Sequence, residues 1–391
     1  MRPEAWVGCG VPLHALRSPV AGLLFSIVIT RPCAVCDGSG LPAASRPWAF
    51  RALRRLCGRP HLAPAWAGVR TALMTHRTIA IVGAGIAGLA CAARLAAGGH
   101  GATLFDKARG PGGRMSTRRV ETAQGQACFD HGAQYFTARH PKFSEQVRAW
   151  AQAGVVAPWP AAGTDAWVGV PGMNAPVRLL AEAHDVHWST PIESLERHGG
   201  RWSLQGQVPL AGVFDAVVVA VPAEQAVPLV VPFDASMAAR ASAAHAAPCW
   251  TVMASFESPL PITTDTLRAE GVLGWAARNS SKPQRHGPEA WVLQAAPRWS
   301  QEHLEDSPDQ IVECLLAALA ECSGIEMPMP AHASAHRWRY ARYDTGNAGE
   351  GMLWNPALGL GACGDWLLGP RVECAWLTGD RLGEAVHASL R

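Results

Sequence analysis

Apolar stretches alternate along this chain with helical patterns and polar turns. A short apolar strand over residues 79–82 runs into an Ala- and Leu-rich helix, and a second strand follows over 102–106. The continuous apolar run at 214–221 is typical of a strand buried on both faces of a parallel sheet. Pro222 marks the exit of this strand from the sheet. These segments predict a βαβ unit and a further parallel strand later in the chain.

Polar and apolar residues alternate in the middle of the chain, between Pro- and Ser-rich turns. From about Pro228 to Ala335 the alternation predicts a mostly antiparallel sheet, with strands over 250–256, 272–277 and 290–296. Apolar residues at helical spacing predict one amphipathic helix over 308–322.

Shorter elements complete this outline. One helix is predicted over 175–184 and another over 372–390. Strands are predicted over three short segments, with Gly199 and Gly200 as the turn of a hairpin between the last two. These segments are 186–188, 192–197 and 201–205. The segment 129–136 is predicted as a strand that turns back towards the first βαβ unit.

Three glycines follow the first strand at the spacing of a dinucleotide-binding loop. Gly83 permits the tight turn from strand to helix, Gly85 lets the backbone approach a pyrophosphate, and Gly88 lets the helix pack closely on the sheet. The helix N-terminus offers unpaired N–H groups and a positive dipole end to phosphates. Asp106 ends the second strand 18 residues after Gly88, close to the spacing expected for an acceptor of ribose hydroxyls.

A glycine- and arginine-rich loop follows Asp106 and extends to Arg119. Its backbone N–H groups and its guanidinium groups, those of Arg109 and Arg114 among them, can wrap a diphosphate. The alternative is a solvated basic turn. We favour the diphosphate, because the loop follows the nucleotide strand so closely.

The end of the chain carries a second glycine-rich segment with Gly359, Gly361 and Gly364. The spacing matches the dinucleotide fingerprint again, but these glycines lie within the predicted strand and the helix begins only later. We therefore reject a second dinucleotide site. Asp365, at the end of this strand, is better placed to accept hydrogen bonds from a sugar-alcohol chain. The N-terminus of the following helix can stabilise negative charge on a bound ring system.

Length and composition indicate a globular enzyme. The 391 residues suffice for two hydrophobic cores. A hydrophobic fraction of 49%, a charged fraction of 17% and the lack of an apolar run of about 18 residues argue against a membrane or disordered protein. The eleven cysteines are scattered, which favours reduced thiols in the cytoplasm. The fifteen histidines lack ligand spacing, so we expect no metal site.

Residues 1–73 differ in composition from the rest, because they carry nine Arg, no Lys and only two acidic residues. One interpretation is a leader segment. A second is a small metal module formed by Cys33, Cys36, Cys57 and His61. The third, which we favour, is an extension outside the natural protein, whose start would be Met74. The remaining residues are slightly acidic overall, so we expect no nucleic-acid partner.

Together these motifs resemble the flavin-dependent amine oxidase superfamily. The shared features are the glycine fingerprint with its terminal acid, the Gly-Gly-Arg loop, an apolar strand ending Ala-x-Pro and a C-terminal Gly-Asp before a helix. Within that superfamily, finer motifs resemble the bacterial renalase-like proteins. These motifs lie at residues 112–119, 130–137, 279–283, 299–303, 336–342 and 364–376. The resemblance extends from about Thr78 to the C-terminus.

The resemblance implies an α/β fold that binds FAD without a covalent bond. It implies an FAD-binding Rossmann-like domain of the glutathione-reductase type, with a discontinuous α+β substrate domain built on a mostly antiparallel sheet. The FAD-binding domain would comprise 74–140, 172–228 and 336–391, and the substrate domain 141–171 and 229–335. The residues implied at the FAD are Gly83, Gly85, Ile86, Ala87, Gly88, Asp106, Lys107, Gly113, Arg114, Gln134, Ile192, Gly364, Asp365, Arg371, Val372 and Glu373.

The resemblance also implies an activity. Renalase-like enzymes oxidise isomers of NAD(P)H whose ring is reduced at the 2- or 6-position, giving NAD(P)⁺, and pass the electrons from the flavin to O₂, giving H₂O₂. The dihydropyridine nitrogen already pushes a hydride towards flavin N5, so positioning dominates and we name no catalytic base. The partners implied are a small dihydronicotinamide and O₂, and the sequence leaves the oligomeric state open.

Sixteen tryptophans offer candidates for stacking on the nicotinamide and the flavin. Among Trp275, Trp338, Trp366 and Trp376 we select the last two, together with Tyr135, as substrate residues. Core packing is the interpretation for most of the other tryptophans. We assign Cys374, near the ring end, to packing rather than to a covalent bond with the flavin.

Other functions stay open. Many amine oxidases hold a lysine against flavin N5 through a water, and residues 74–391 contain only Lys107, Lys142 and Lys282. A structure with Lys282 over the flavin would favour amine oxidation. A protein that binds FAD without turnover is a further alternative. A desaturase-like enzyme for isoprenoid or porphyrin substrates would need a large apolar tunnel, which the Pro-broken middle of the chain supports poorly.

Overall fold

The structure is a computed structural model that describes residues 77–344 and 351–391. The interpretations of 1–73 and of Met74 lie outside the described residues. The strands are β1 (Thr78–Val82), β2 (Gly101–Phe105), β3 (Thr117–Thr122), β4 (Gly125–Asp130), β5 (Phe136–Thr137), β6 (Val156–Pro158), β7 (Ala166–Gly169), β8 (Asp185–His187), β9 (Ile192–His198), β10 (Arg201–Gly206), β11 (Ala216–Val219), β12 (Ala246–Phe256), β13 (Thr266–Leu267), β14 (Leu273–Arg278), β15 (Glu289–Ala295), β16 (His332–Tyr343), β17 (Leu353–Asn355) and β18 (Leu360–Ala362).

Helices connect and cover these strands. They are α1 (Ile86–Ala97), α2 (Pro141–Gln152), α3 (Ala175–Glu182), α4 (Ala223–Val230), α5 (Ala235–Ser242), α6 (Pro297–Glu302), α7 (Pro308–Ser323) and α8 (Val372–Ser389). Across the described residues, none of the helices combines the length and the apolar character that crossing a membrane requires.

A six-stranded sheet forms the centre of the fold, in the order β17-β18-β11-β1-β2-β8. Its strands are parallel except for β17, which runs antiparallel to β18. Alternate residues of its central strands pack on opposite faces. Ile81 and Val218 contact the core beneath α1 and α8, whereas Val217 and Val219 contact the core beneath α4 and α5. Burial on both faces explains the continuous apolar run at 214–221 and confirms the predicted parallel strand.

A five-stranded antiparallel sheet forms the second layer, in the order β13-β14-β15-β12-β16. One face of this sheet packs under α7, where Ile311 and Leu315 share a core with Trp250. Ser307 caps α7 in a capping box with Gln310, which fixes the start of the helix. The predicted helix over 308–322 and the mostly antiparallel sheet are both confirmed, and with them the α/β fold class.

Two predicted boundaries are wrong. The domain boundary placed between 335 and 336 falls inside β16, which pairs with β12 along most of its length. Residues 336–343 therefore belong to the antiparallel sheet, while the rest of the domain division stays a prediction. The strand predicted over 129–136 is broken, since β4 ends at Asp130 and β5 begins at Phe136. The residues between them form a loop, because side chains rather than a neighbouring strand bond its carbonyl groups.

Helices α1 and α8 pack so closely that glycines must form their contact. A Cβ on Gly379 of α8 would lie 2.0 Å from the carbonyl oxygen of Ala87, which is far inside van der Waals contact. A Cβ on Gly383, one turn later, would lie 2.7 Å from the Cβ of Arg94. This contact holds the C-terminal helix against the first helix of the βαβ unit.

We expect Gly379→Ala to lower the free energy of unfolding by roughly 1–3 kcal/mol, because overpacking separates α1 from α8. Alanine has a higher helix propensity than glycine, so without a clash the substitution would raise the free energy of unfolding. A decrease therefore reports the clash. Gly101→Ala is the control, since a Cβ there would meet no atom. Urea unfolding of both variants measures the difference, and equal stability of Gly379→Ala and the wild type would contradict the close contact.

Candidate functional site

A cleft of about 1650 Å³ opens at the carboxyl ends of the parallel strands. The loops after β1, β2 and β11 line one side, and residues of β16 line the other. Ligands of doubly wound sheets bind at this end of the strands. The volume exceeds the roughly 300–1,000 Å³ typical of small-ligand pockets. The cleft therefore has room for a dinucleotide and a second molecule.

The first glycine loop lies at the floor of the cleft. Gly83 has a φ of +103°, and a Cβ there would lie 2.6 Å from a backbone carbonyl oxygen, so only glycine fits. Gly85 is the N-cap of α1, and a Cβ on it would meet no atom. Gly85, Ile86 and Ala87 line the cleft, whereas Gly88 lies behind it and packs on the backbone of Gly83. The first turn of α1 thus presents its N–H groups to open space.

Asp106 follows β2 and lines the same end of the cleft. Its carboxylate accepts hydrogen bonds from the N–H groups of Ala84 and Ala108, both at 2.7 Å. Each oxygen keeps a second lone pair that can accept a ribose hydroxyl. Lys107 is exposed and donates to a glutamine side chain at 3.1 Å, and Ile192 lines the cleft where β9 begins. The structure therefore brings these predicted residues together.

The second glycine loop faces the first. A Cβ on Gly113 would lie 3.8 Å from the Cα of Gly85. Arg114 follows and forms a bidentate ion pair with Asp365, with Nη1 and Oδ2 at 2.9 Å. Its guanidinium also lies near two backbone carbonyl oxygens of β16. The sequence assigned Arg114 and Asp365 to different parts of FAD, whereas the structure places them in contact, with Gly364 beside them on the cleft wall.

The loop between β4 and β5 forms another part of the wall. The side-chain amide of Gln134 donates to the carbonyl oxygen of Gly132 at 3.1 Å, and Gln294 donates to the same oxygen at 2.7 Å. The indole N–H of Trp338 donates to the carbonyl oxygen of His131 at 2.8 Å. Gln134 lines the cleft as predicted. Its side chain also fixes the shape of the loop.

A buried charge cluster of Asp130, Lys282 and Arg285 supports this loop from behind. The Asp130 carboxylate accepts from Lys282 at 3.2 Å and from Arg285 at 2.7 Å. Lys282 also donates to the Gln134 side chain at 3.3 Å. Burial alone would raise the pKa of Asp130, but the two cations outweigh it and hold that pKa far below its usual range. Lys282 is fully buried and lies outside the cleft wall, so the structure does not place it over the cofactor site.

At the start of α8 the structure places two of the three predicted residues on the cleft wall. Arg371 and Val372 line the cleft. Glu373 is buried and points elsewhere: its carboxylate accepts from the N–H groups of Arg139 and His140, both at 2.6 Å, at the start of α2. Glu373 therefore lies outside the cleft wall, and its contact with FAD stays a prediction. Its Oε1 accepts from the N-terminal end of α2, and its Oε2 forms an ion pair with Arg371 at 3.2 Å.

The structure places Trp366 and Trp376, which were predicted as substrate residues, outside the cleft wall. Trp366 is buried in the core and donates from its indole nitrogen to a backbone carbonyl oxygen at 3.3 Å. Trp376 packs against Phe143 between α8 and α2, with ring centroids 5.5 Å apart. Trp275 of β14 and Trp338 of β16 line the cleft instead. Strand alternation is the signal that could have selected them, since the cleft-facing positions of an antiparallel sheet recur every second residue.

Tyr135, the third predicted substrate residue, does line the cleft. Its ring lies 5.7 Å from that of Trp275. Arg268 donates to the Tyr135 hydroxyl at 3.2 Å and places its guanidinium carbon 4.4 Å from the centroid of the Trp275 ring. No sequence motif pointed to Arg268, because it follows a two-residue strand and carries no neighbouring pattern.

The cleft is strongly cationic. Among the described residues its wall carries ten cationic side chains and two carboxylates. The cationic residues are Lys107, Arg109, Arg114, Arg118, Arg139, Arg268, Arg337, Arg339, Arg342 and Arg371. The carboxylates are Asp106 and Asp365, and the second is neutralised by Arg114. Five of the arginines also pair with carboxylates outside the wall, namely Arg139 with Asp165, Arg337 and Arg339 with Glu305, Arg342 with Asp344 and Arg371 with Glu373. The excess of four positive charges that remains raises the local concentration of anions and lowers that of cations.

Family models match most of the described chain. Residues 81–152 match an NAD(P)-binding Rossmann-like domain. Residues 160–357, slightly more than half of the chain, match the flavin-containing amine oxidoreductases. The chain belongs to the flavin-containing amine oxidoreductases. It is therefore an oxidoreductase whose cofactor is FAD.

Solved structures of low sequence identity share the fold. A protein assigned as a protoporphyrinogen oxidase from Exiguobacterium sp. 255-15 aligns over 81% of this chain and 99% of its own, with a TM-score of 0.64 and 14% identity. Putrescine oxidase bound to putrescine aligns over 80% of this chain and 99% of its own, with a TM-score of 0.61 and 15% identity.

A sequence relative matches only a short segment. A 4,4'-diapophytoene desaturase of Staphylococcus haemolyticus is 66% identical over only 38 residues, 10% of this chain and 8% of the desaturase. This chain thus spans less than a tenth of that relative.

The residues of the cleft fit FAD. The open N-terminus of α1 can bind the diphosphate, and Asp106 can bind a ribose. Arg114 and Asp365 lie where the loops meet, within reach of the chain that joins diphosphate and ring. The thiol of Cys374 is buried and lies outside the cleft wall, which fits a cofactor held without a covalent bond. We find no cluster of three potential metal ligands in 77–344 and 351–391.

The buried charge cluster predicts how stability depends on pH. Burial lowers the pKa of Lys282 from 10.5 to about 8, although Asp130 opposes the shift. Between these values the unfolded chain binds more protons than the folded protein, so the free energy of unfolding rises with pH. Lys282→Met lacks this contribution. We expect the free energy of unfolding of the wild type, minus that of Lys282→Met, to increase from about pH 8 to about pH 10 in urea unfolding at saturating FAD.

Asp130→Asn is the matched comparison, since it keeps the shape of the side chain and removes its charge. It leaves two buried cations without their carboxylate, and we expect a loss of roughly 3–5 kcal/mol in the free energy of unfolding. At neutral pH this loss should exceed that of Lys282→Met, which leaves Asp130 paired with Arg285. A pH-independent difference for Lys282→Met, or a milder effect of Asp130→Asn, would contradict the charge assignment.

Proposed function

We propose that this protein oxidises isomers of NAD(P)H whose nicotinamide ring is reduced at the 2- or 6-position. One such isomer, O₂ and a proton would give NAD(P)⁺ and H₂O₂. Bound FAD would accept the hydride at N5 and pass the electron pair to O₂. The free cysteines in the described chain suit a cytoplasmic location, which we propose as well.

The charge of the cleft is the observation that carries this proposal. The wall holds ten cationic side chains against two carboxylates, counted over the described residues. Four carboxylates outside the wall pair with arginines of this set, which leaves an excess of four positive charges. The FAD diphosphate would neutralise part of this excess, and the rest remains for a second anionic molecule. A dinucleotide carries a diphosphate of its own and is attracted, whereas an ammonium ion is repelled. The electrostatics therefore favour a dihydronicotinamide dinucleotide over an amine.

The lysines support the same choice. An amine oxidase that holds a lysine against flavin N5 needs one on the cleft wall near the ring. Lys107 is the only lysine among the described residues of that wall, and it follows β2 at the ribose end. Lys282 is committed to Asp130 and Gln134. We propose that this chain lacks that lysine.

The side chains of the cleft have binding and orienting roles in this reaction. The loops of Gly85 and Gly113 would hold FAD, and Tyr135 with Trp275 would offer an aromatic surface to the nicotinamide. The ring nitrogen of the substrate supplies the electron pair that drives hydride departure. No protein base is required, and placement of the two rings determines the rate.

Amine oxidation remains the second candidate, because residues 160–357 match the flavin-containing amine oxidoreductases. FAD binding without turnover is the third. It would give a flavin that neither dihydronicotinamides nor amines reduce quickly.

Anaerobic mixing distinguishes these functions. The reductant is borohydride-reduced NAD⁺, which contains several dihydro isomers, and the visible flavin band is followed. We expect rapid bleaching by this mixture and little by ordinary NADH or by amines. Re-admission of air should restore the band and form one H₂O₂ for each NAD⁺.

Other outcomes would reject the proposal. Bleaching by amines alone would assign the protein to the amine oxidases. A flavin that no reductant bleaches would support binding without turnover.

A further inference from the structure

Three side chains from separate segments meet at the cleft wall: Arg268, Tyr135 and Trp275. Arg268 follows β13, Tyr135 lies in the loop before β5, and Trp275 lies in β14. The guanidinium lies over the Trp275 ring at 4.4 Å and donates to the Tyr135 hydroxyl at 3.2 Å. All three residues line the cleft.

This arrangement changes what the aromatic pair can bind. A cation over the face of Trp275 would occupy the favourable region of its ring, and Arg268 already occupies it. An ammonium group would therefore meet a positive charge there. The face of Trp275 that Arg268 covers cannot serve as an open cation site while Arg268 is present.

Arg268 also keeps donors for a ligand. A guanidinium has five N–H donors, and the Tyr135 hydroxyl takes one of them. Among the residues that the structure describes, no carboxylate forms an ion pair with Arg268. Stacking on Trp275 fixes the plane of the guanidinium, so its remaining donors are oriented before a ligand arrives.

We propose that Arg268 binds a phosphate group of the substrate and selects phosphate-bearing dihydronicotinamides over amines. This inference rests on the proposed function and adds the residue that recognises the anionic part. Arginine suits the role, because its planar fork matches the oxygens of a phosphate. Loss of a hydrogen bond to a charged group corresponds to roughly a ten- to hundredfold change in affinity.

The test compares two substrates in two variants. Arg268→Gln keeps a polar side chain and removes the charge. Arg298→Gln is the control, since Arg298 is 92% exposed on α6 and pairs only with Glu302 among the described residues. The substrates are borohydride-reduced NAD⁺ and borohydride-reduced nicotinamide riboside, which has no phosphate. Rates of anaerobic flavin reduction are measured against substrate concentration.

We expect Arg268→Gln to raise the half-saturating concentration for the NAD⁺ mixture at least tenfold and to leave the limiting rate within a factor of about two. The riboside mixture should react equally with Arg268→Gln, Arg298→Gln and wild type. Equal losses for both substrates would overturn the proposal, because Arg268 would then act on the ring and not on the phosphate. An unchanged half-saturating concentration for the NAD⁺ mixture would overturn it too.

A binding measurement separates this inference from the proposed function. Calorimetric titration of the oxidised holoprotein with NAD⁺ needs no turnover. We expect binding at least tenfold weaker in Arg268→Gln than in Arg298→Gln. If the dihydro isomers fail to reduce the wild-type flavin, the proposed function falls, while weaker NAD⁺ binding by Arg268→Gln would still support the phosphate contact. Equal NAD⁺ binding by the two variants, or none by the wild type, would overturn the inference.

Discussion

The buried carboxylate of Asp130 is the point on which the cleft wall depends. It accepts hydrogen bonds from Thr117, the backbone of Met173, Lys282 and Arg285, so donors from three other chain segments meet at one side chain. A charge without water is costly unless it is paired and fully hydrogen-bonded, and Asp130 meets both conditions. The loop with Gln134 leaves β4 directly after this residue. Its position over the cleft is consequently set largely from behind, by Met173, Lys282 and Arg285, which lie outside the cleft wall.

A second ion pair joins the two layers on the cleft side. Arg114 belongs to the glycine-rich loop after β2, and Asp365 follows the last strand of the parallel sheet, 251 residues later. The same guanidinium lies near backbone carbonyl oxygens at the edge of the antiparallel sheet. Parallel and antiparallel sheets thus share a charged contact where the cofactor would pass. Neither partner stays an isolated charge, which lets this polar site lie between two hydrophobic cores.

The local sequence predicted those parts of the site where the backbone geometry requires a particular type of residue. Gly83, Gly85 and Asp106 were found because a tight turn, an open helix N-terminus and a strand end each require a particular residue type at fixed spacing. The sequence could not predict in the same way where the side chains of Glu373 and Trp376 point. Both lie on α8, and the packing of α2 against that helix decides which face meets the cleft. Lys282 stands in the sequence Ser-Ser-Lys-Pro, which is typical of a loop. Only the tertiary structure shows that its side chain is buried.

The charge of a site can select between substrates when the shared fold does not. The flavin-containing amine oxidoreductases and this chain share an architecture, and an architecture alone does not select a substrate. The aromatic surface of Tyr135 and Trp275 would suit a cation or a planar ring equally well. The stacked guanidinium of Arg268 removes the first option and adds donors for an anion beside the second. A nucleotide supplies both a planar ring and an anion in one molecule, so the recognition proposed for these three side chains combines two features that an amine does not offer.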